Sequence, residues 1–359
     1  MKQSKDAMTL KVYTHSDVAR LVSHRPLETK IGEALTLLPQ GNDLAQRLDQ
    51  AKRLGARFAL LGVPEDLGPK ANLGKGGAEL GWQAFLSRFL NLQSHPDFPT
   101  HSLLLLGELE LNDLQTQGAA LSNQRPEQLA QLRELVAEVD RRLAPLIEAV
   151  ARAGLVPIVI GGGHNNAYPI IRGVSQALGH SLGVLNLDPH ADFRPMEGRH
   201  SGNGFRYAQA EGYLGQYQVL AMHPFKNSAA SQQALKAAGF GTVTYPELFV
   251  QRSLTLDQAL DLLCGRLSGY PAGLELDMDV INLLPASAYT NTSLALADVE
   301  YLIHQASRRL KPRYLHLCEA APARHPAGEA FGMADCGQAL AAMVLAFVTA
   351  FDGQASTGI

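Results

Sequence analysis

The sequence predicts a three-layer α/β/α domain with a central, mainly parallel β-sheet, and three observations predict it. Short apolar runs alternate with segments of helical periodicity along most of the chain, the pattern of strands joined by crossover helices. The runs at 155–160, 181–187 and 314–317 lack an alternating polar face, as strands buried between two helical layers do. Polar residues gather just beyond several of these runs, where open parallel sheets carry their sites.

Residues 1–50 are read as a polar lead-in packed on the domain, with a helix over 42–54 feeding the first strand. That strand covers 57–63 (RFALLGV) and closes at Pro64-Glu-Asp66. A glycine-rich loop over 67–78 precedes a helix over 79–90, and 102–106 form a short strand. Pro126 opens a long helix with Leu129, Leu132, Val136, Val139, Leu143 and Ile147 at helical spacing. Pro145 should kink it or mark a boundary within it. The strand at 155–160 leads into Gly161-Gly-Gly-His164 and a helix; the strand at 181–187 leads into Asp188-Pro-His-Ala-Asp192. Weaker strands over 219–221 and 242–245 flank a helix over 232–238. A helix over 255–267 leads to a strand at 273–276 and Asp277-Met-Asp279. A helix over 297–310 leads to the strand at 314–317 and Glu319, and a helix over 338–351 closes the chain. No repeat or linker divides it, so 51–359 is read as a single catalytic domain.

The net charge of −3 argues against nucleic acid or an anionic membrane as the main partner, since either favours a basic surface. Cys264, Cys318 and Cys336 are too few and too scattered for a disulfide framework. The opening residues lack the apolar core of a signal peptide, and no apolar run is read as approaching a membrane span. A cytoplasmic protein is expected.

At a strand end, residues spaced by two point the same way while the chain is extended. Asp188, His190 and Asp192 therefore aim two carboxylates and an imidazole at one small volume, and Asp277 and Asp279 repeat the spacing. Such packing is unfavourable unless a cation holds it. Carboxylate and imidazole donors suit a hydrolytic Mn²⁺, Zn²⁺ or Fe²⁺. With His164 the set offers six ligands, enough for two divalent ions if carboxylates bridge, and two ions about 3.5–4 Å apart can acidify a water. Each segment also has a plainer reading: a tight turn at Gly161-Gly-Gly-His164, helix caps at Asp277 and Asp279, a surface acid at Glu319. Cys336 has no adjacent histidine and reads as a packed thiol.

Taken in order, these residues resemble the ureohydrolase superfamily of arginase, agmatinase and formimidoylglutamase, from about residue 57 to the C-terminal helix. Its Gly-Gly-x-His is matched by Gly161-Gly-Gly-His164 and its Asp-Ala-His-x-Asp by Asp188-Pro-His-Ala-Asp192. Its Asp-x-Asp-x-x-Asp-Pro is matched, altered, by Asp277-Met-Asp-Val-Ile-Asn282, and its late Glu-x-x-Pro by Glu319-Ala-Ala-Pro322. The resemblance implies an arginase-like fold and two divalent ions, expected to be Mn²⁺. His164, Asp188, Asp192 and Asp277 would hold one; Asp188, His190, Asp277 and Asp279 the other, with Asp188 and Asp277 bridging. Asp192 would also orient the bridging hydroxide, Glu319 would face the substrate's cationic C–N group, and His200 would carry the proton to the leaving amine. His200 can also be read as a surface-loop residue.

Three departures stand out: Gly163 where the family has Asp, Pro189 where it has Ala, and Asn282-Leu283 where it has Asp-Pro. Two stretches look like the formimidoylglutamase branch: Gly62-Val-Pro-Glu-Asp66 with the glycine-rich loop after it, and His200-Ser-Gly-Asn-Gly-Phe-Arg206. Arg206 or Lys75 could meet a substrate carboxylate, with Asn203 in the same turn; Arg206 can equally be a loop arginine paired with a surface acid. The expected activity is hydrolysis of a linear C–N bond in a small amidine or guanidine, with formimidoylglutamate as leading substrate. Urea-releasing hydrolysis, single-zinc deacetylase-like chemistry and a catalytically silent binding subunit are the alternatives. A homo-oligomer is left open.

Overall fold

The computed structural model describes residues 10–352. Ten strands form one sheet: β1 Leu10–Lys11, β2 Thr36–Leu37, β3 Phe58–Gly62, β4 Leu103–Leu109, β5 Val156–Ile160, β6 Leu182–Leu187, β7 Leu214–Met222, β8 Gly241–Thr244, β9 Ala272–Asp277 and β10 Leu315–Cys318. The order is β1-β4-β3-β5-β10-β9-β6-β7-β8, with β2 on β4. Every strand pair is parallel except β1 with β4. Four strands adjacent at the centre of this order, β5, β10, β9 and β6, are the ones followed by His164, Glu319, Asp277/Asp279 and the Asp188 triplet. The sheet thus brings segments more than a hundred residues apart to one edge.

Successive side chains on a strand face opposite layers. Leu60, Ile158, Leu185, Leu274 and Leu315 join a core with the helices Gly81–Phe89, Leu256–Arg266, Leu296–Leu310 and Glu329–Asp352. Leu61, Val159 and Val184 join the opposite core with Leu44–Arg53, Pro126–Arg152 and Ala167–Leu178. The lead-in is woven into this frame, because β1 and β2 both pair with β4 and the Trp82 indole donates to the Tyr13 hydroxyl at 3.0 Å.

Three elements differ from the sequence reading. The helix Pro126–Arg152 runs through Pro145 without a boundary. Pro145 and Arg141 are exposed, so the carbonyl left without an N–H partner lies on the solvent side, while buried Leu143, Leu146 and Ile147 anchor the turn. β7 is nine residues long; Gln216 and Gln218 interrupt its apolar pattern, yet Gln218 is buried between β6 and β8. The last helix begins at Glu329 rather than 338. Its Gly332 and Gly337 permit close packing, since a Cβ would stand 1.9 Å from the Pro322 carbonyl oxygen and 2.4 Å from that of Ala84. The segment Glu329–Phe351 is also long and apolar enough to cross a membrane, contrary to the sequence reading. Ala339, Leu340, Met343, Val344, Phe347 and Val348 of that helix are buried in the core, together with 61% of its most apolar window.

Candidate metal centre

The loop after β5 turns through Gly161 and Gly162, both at positive φ, and sends His164 down into the sheet edge. Gly163 is held in place by Glu65, which follows β3: its carboxylate accepts the Gly163 amide at 2.7 Å, the Asn166 side-chain amide at 2.8 Å and the Gly68 amide at 3.1 Å. A Cβ on Gly163 would lie 2.4 Å from Pro69 and 2.5 Å from Asn165, so an aspartate there would require these side chains to shift.

The turns after β6 and β9 share one design. The Asp188 carboxylate accepts the His190 amide at 2.6 Å, and the Asp277 carboxylate accepts the Asp279 amide at 2.9 Å. Each first aspartate therefore folds the next polar residue back beside itself. Asn227 braces the triplet, donating to the Pro189 carbonyl at 2.9 Å and accepting the Ala191 amide at 2.7 Å. Asp192 and Glu319 both adopt left-handed backbone, φ 43° and 65°, a strained conformation for these residues that recurs at functional sites.

These turns bring the six expected ligands together. His164 Nδ1 lies 3.0 Å from Asp192, 3.2 Å from Asp188 and 3.5 Å from Asp277. His190 Nδ1 lies 3.1 Å from Asp279 and 3.4 Å from Asp188. Three groups have donor atoms within 4.8 Å of one another: His164/Asp188/Asp192/Asp277 and Asp188/His190/Asp279 at the cleft, and His164/His316/Cys318 behind them. Among the described residues, both ring nitrogens of His164 and one oxygen of Asp279 have no hydrogen-bond partner; Nδ1 and the Asp279 oxygen belong to the clustered donors, as suits atoms that donate to a cation. Burial raises the pKa of Asp277, and the neighbouring Asp279 and Asp188 raise it further. Burial and then Asp188 do the same to Asp192. Burial works against a charged His190, but Asp279 and Asp188 outweigh it and drive its pKa well up. Asp277 and Asp192, which resist ionising beside the other acids, together with the facing imidazoles fit a divalent metal.

Glu319 is buried beside them, accepting the His164 amide at 2.8 Å and the Ser287 hydroxyl, and burial pushes its pKa up to about 8. A cleft of about 490 Å³ opens over the centre, lined by His190, Asp192, Asp277, Asp279 and Glu319 and, nearer the surface, by Asn72, Arg194, Glu197, Lys226 and Ser287. A neighbouring hollow shares His190, Lys226 and Ser287 and adds Lys75 and Arg324.

Three expected residues do not reach this cleft. His200 is fully buried behind it: its Nδ1 accepts the Gly202 amide at 3.1 Å, and burial, then Arg194 and Arg133, lower its pKa to about 3. Its Nε2 lies 3.3 Å from the Glu197 carboxylate, which itself lines the cleft. Asn203 is buried with its amide used up internally, accepting from Arg199 at 2.7 Å and donating to the Gly198 carbonyl at 2.8 Å. Arg206 lies on the helix Gly204–Ala210 with its guanidinium stacked 4.8 Å from the centre of the Phe193 ring.

Several residues escaped the sequence reading. Lys226 follows a strand that looked weak, and Glu65 was read only as part of a motif. Glu275 and His316 sit inside strands: the Glu275 carboxylate is 2.6 Å from His316 Nδ1 and 3.5 Å from His164 Nε2. Acidic and imidazole side chains within such apolar runs were the signal available for them.

The model of the arginase family matches residues 56–344. Formimidoylglutamase of Geobacillus sp. (strain WCH70) is 31% identical over 245 residues, which cover 67% of this chain and 67% of the relative. Formimidoylglutamase of Aromatoleum aromaticum is 30% identical over 191 residues, covering 51% of this chain and about half, 52%, of the relative. The crystal structure of Trypanosoma cruzi formiminoglutamase with Mn²⁺ superposes with a TM-score of 0.68 at 20% identity, covering 90% of this chain and 98% of that one. Bacillus subtilis formimidoylglutamase superposes with a TM-score of 0.71 at 16% identity, covering 92% and 94%. At these identities the structural likeness speaks for the fold.

Proposed function

This chain belongs to the arginase family, and from that premise we propose that it is a metal-dependent hydrolase of a linear amidine C–N bond, with formimidoylglutamate as substrate and glutamate and formamide as products. The observation that carries the proposal is the meeting of His164, Asp188, His190, Asp192, Asp277 and Asp279 at the ends of three strands. His164, Asp188, Asp192 and Asp277 would hold one ion, and Asp188, His190, Asp277 and Asp279 the second. Mn²⁺ is the ion proposed, since it suits mixed carboxylate and imidazole donors and accompanies the Trypanosoma cruzi relative. Two such ions supply a hydroxide nucleophile near neutral pH.

Around that nucleophile the protein's own groups have distinct tasks. Asp192 orients the attacking oxygen and takes its proton. Glu319 accepts hydrogen bonds from the amidinium nitrogens, a charge-assisted contact stronger than one between neutral groups. The bond from the formimidoyl carbon to the glutamate nitrogen breaks, and that nitrogen leaves carrying the proton passed on by Asp192. Lys226 and Arg194 at the cleft, with Lys75 and Arg324 in the adjoining hollow, suit a substrate that carries two carboxylates. This charge pattern, together with the formimidoylglutamase relatives, favours formimidoylglutamate over arginine or agmatine. Mn²⁺-reconstituted protein is expected to release glutamate and formamide from formimidoylglutamate. Release of urea from arginine, agmatine or guanidinobutyrate instead would overturn the substrate assignment.

A further inference from the structure

We propose that the hollow beside the cleft is a second anion subsite. It extends the substrate class to linear amidines whose acidic tail is prolonged by a further amide-linked acidic residue. The proposal rests on the amidine reading above. The hollow has a volume of about 590 Å³ and shares His190, Lys226, Ser287 and Ala288 with the cleft of about 490 Å³. Sites for small ligands run from about 300 to 1,000 Å³, so the cleft alone has room for formimidoylglutamate and the hollow for a group beyond it. Every acidic side chain lining the two spaces belongs to the cleft, whereas the hollow presents Lys75, Lys226 and Arg324. On a chain whose net charge is −3, this is a local arrangement and not a reflection of composition.

Local structure fixes these cations in place. Arg324 Nε donates to the Gly76 carbonyl at 2.8 Å, tying the turn after β10 to the glycine-rich loop. The Asp66 carboxylate accepts the Gly77 amide at 3.1 Å and holds that loop from its other side. Lys75 is thereby carried to the rim of the hollow, where it is exposed. Neither Lys75 nor Arg324 is paired with an acid among the described residues. The segment 286–290 is the wall between the two spaces. Its Ser287 donates to Glu319 of the cleft, and its Thr290, which lines the hollow, accepts Lys226 Nζ at 2.8 Å. An amidinium placed in the cleft therefore meets acids, and a tail led along this wall meets no charge except positive. The two carboxylates of formimidoylglutamate are matched in number by Arg194 and Lys226, which leaves Lys75 and Arg324 for a further anionic group. A second glutamate joined through the side-chain carboxylate supplies that group. The chemistry is unchanged: water adds across the same C–N bond, giving formamide and the free dipeptide.

The test uses full-length protein, wild type, Lys75→Glu and Arg324→Gln, with formimidoylglutamate and formimidoyl-γ-glutamylglutamate as substrates. In Mn²⁺-reconstituted wild type, the extended compound is expected to show a kcat/KM about tenfold above that of its parent, through a lower KM. In both variants the ratio of the two is expected to fall to about one. Calorimetry on the protein as purified, with glutamate and γ-glutamylglutamate, reads the hollow without turnover. The dipeptide is expected to bind wild type about tenfold tighter than glutamate and to lose that margin in the variants. An extended compound that is bound and processed no better than its parent overturns the proposal. An advantage that survives both substitutions overturns it as well. Lys75 is exposed, so Lys75→Glu decides the matter even where Arg324→Gln unsettles the loop. Wild type that hydrolyses neither compound overturns the amidine reading instead, and the calorimetry then judges the hollow on its own.

Discussion

The Glu65 carboxylate accepts the amide of Gly163 at 2.7 Å, joining the loop after β3 to the loop that carries His164. The same carboxylate takes the amide of Gly68 and the side-chain amides of Asn165 and Asn166, and it is completely buried. Replacing Glu65 with leucine leaves these donors without a partner. The expected loss is about 3 kcal/mol or more of folding stability, read by denaturant unfolding. A loss under about 1 kcal/mol would show that the bolt is dispensable.

Asp188 belongs to both clusters of candidate ligands and, with Asp277, is one of the two proposed bridges. Asp188→Ala should remove both ions and the activity with them, measured by metal analysis after gel filtration and by glutamate release. Retention of two tightly bound ions would sink the assignment of Asp188 as a bridge.

Lys226 lines both the cleft and the hollow beside it and donates to Thr290 at 2.8 Å. A hydrogen bond to a charged group contributes about 1.5–3 kcal/mol. Lys226→Met should therefore raise KM for a dicarboxylate substrate about 10–100-fold with a much smaller change in kcat. An unchanged KM would remove Lys226 from substrate recognition.

His200 gives the pH prediction. Its folded pKa lies near 3, below the ordinary value of 6.5, so the unfolded chain takes up the proton first. The stability it contributes is complete above pH 6.5 and is lost as pH falls toward 3. Between pH 6.5 and pH 5 the loss should be on the order of 2 kcal/mol. Wild-type stability should fall relative to that of His200→Gln over this window; parallel curves would contradict the prediction.

The clustering of the candidate ligands was legible because much of its information is local. Asp188, His190 and Asp192, like Asp277 and Asp279, are spaced by two at the end of an apolar run; they meet not because the chain stays extended but because Asp188 and Asp277 each accept the amide two residues on and turn it back. What was not legible depends on partners distant in sequence. Asn203 looked available until Arg199, pinned by Asp140 at 2.7 Å, claimed its carbonyl. Arg206 looked like an anion binder until the helix it sits on laid it across Phe193. His200 stood in a turn that the sequence could place beside the site, but not on a stated side of it. Glu275 and His316 gain meaning only from the β9–β10 register. The last helix reaches back past Gly332 and Gly337, which weaken a helix taken alone but here let it pack against Pro322 and Ala84.

The place of β10 between β5 and β9 also bears on how the centre is born. His164 and Asp277 follow strands that are not neighbours; the gap between them is closed by the last strand of the sheet to be synthesised. A chain that has made β5, β6 and β9 holds every ligand in sequence but lacks the spacer that sets β5 and β9 at their final separation. Long-range pairing of this kind is a late and slow event in folding. On the metal reading proposed above, ion capture would reward the fully threaded sheet and give little to a partly assembled one, a checkpoint on completion.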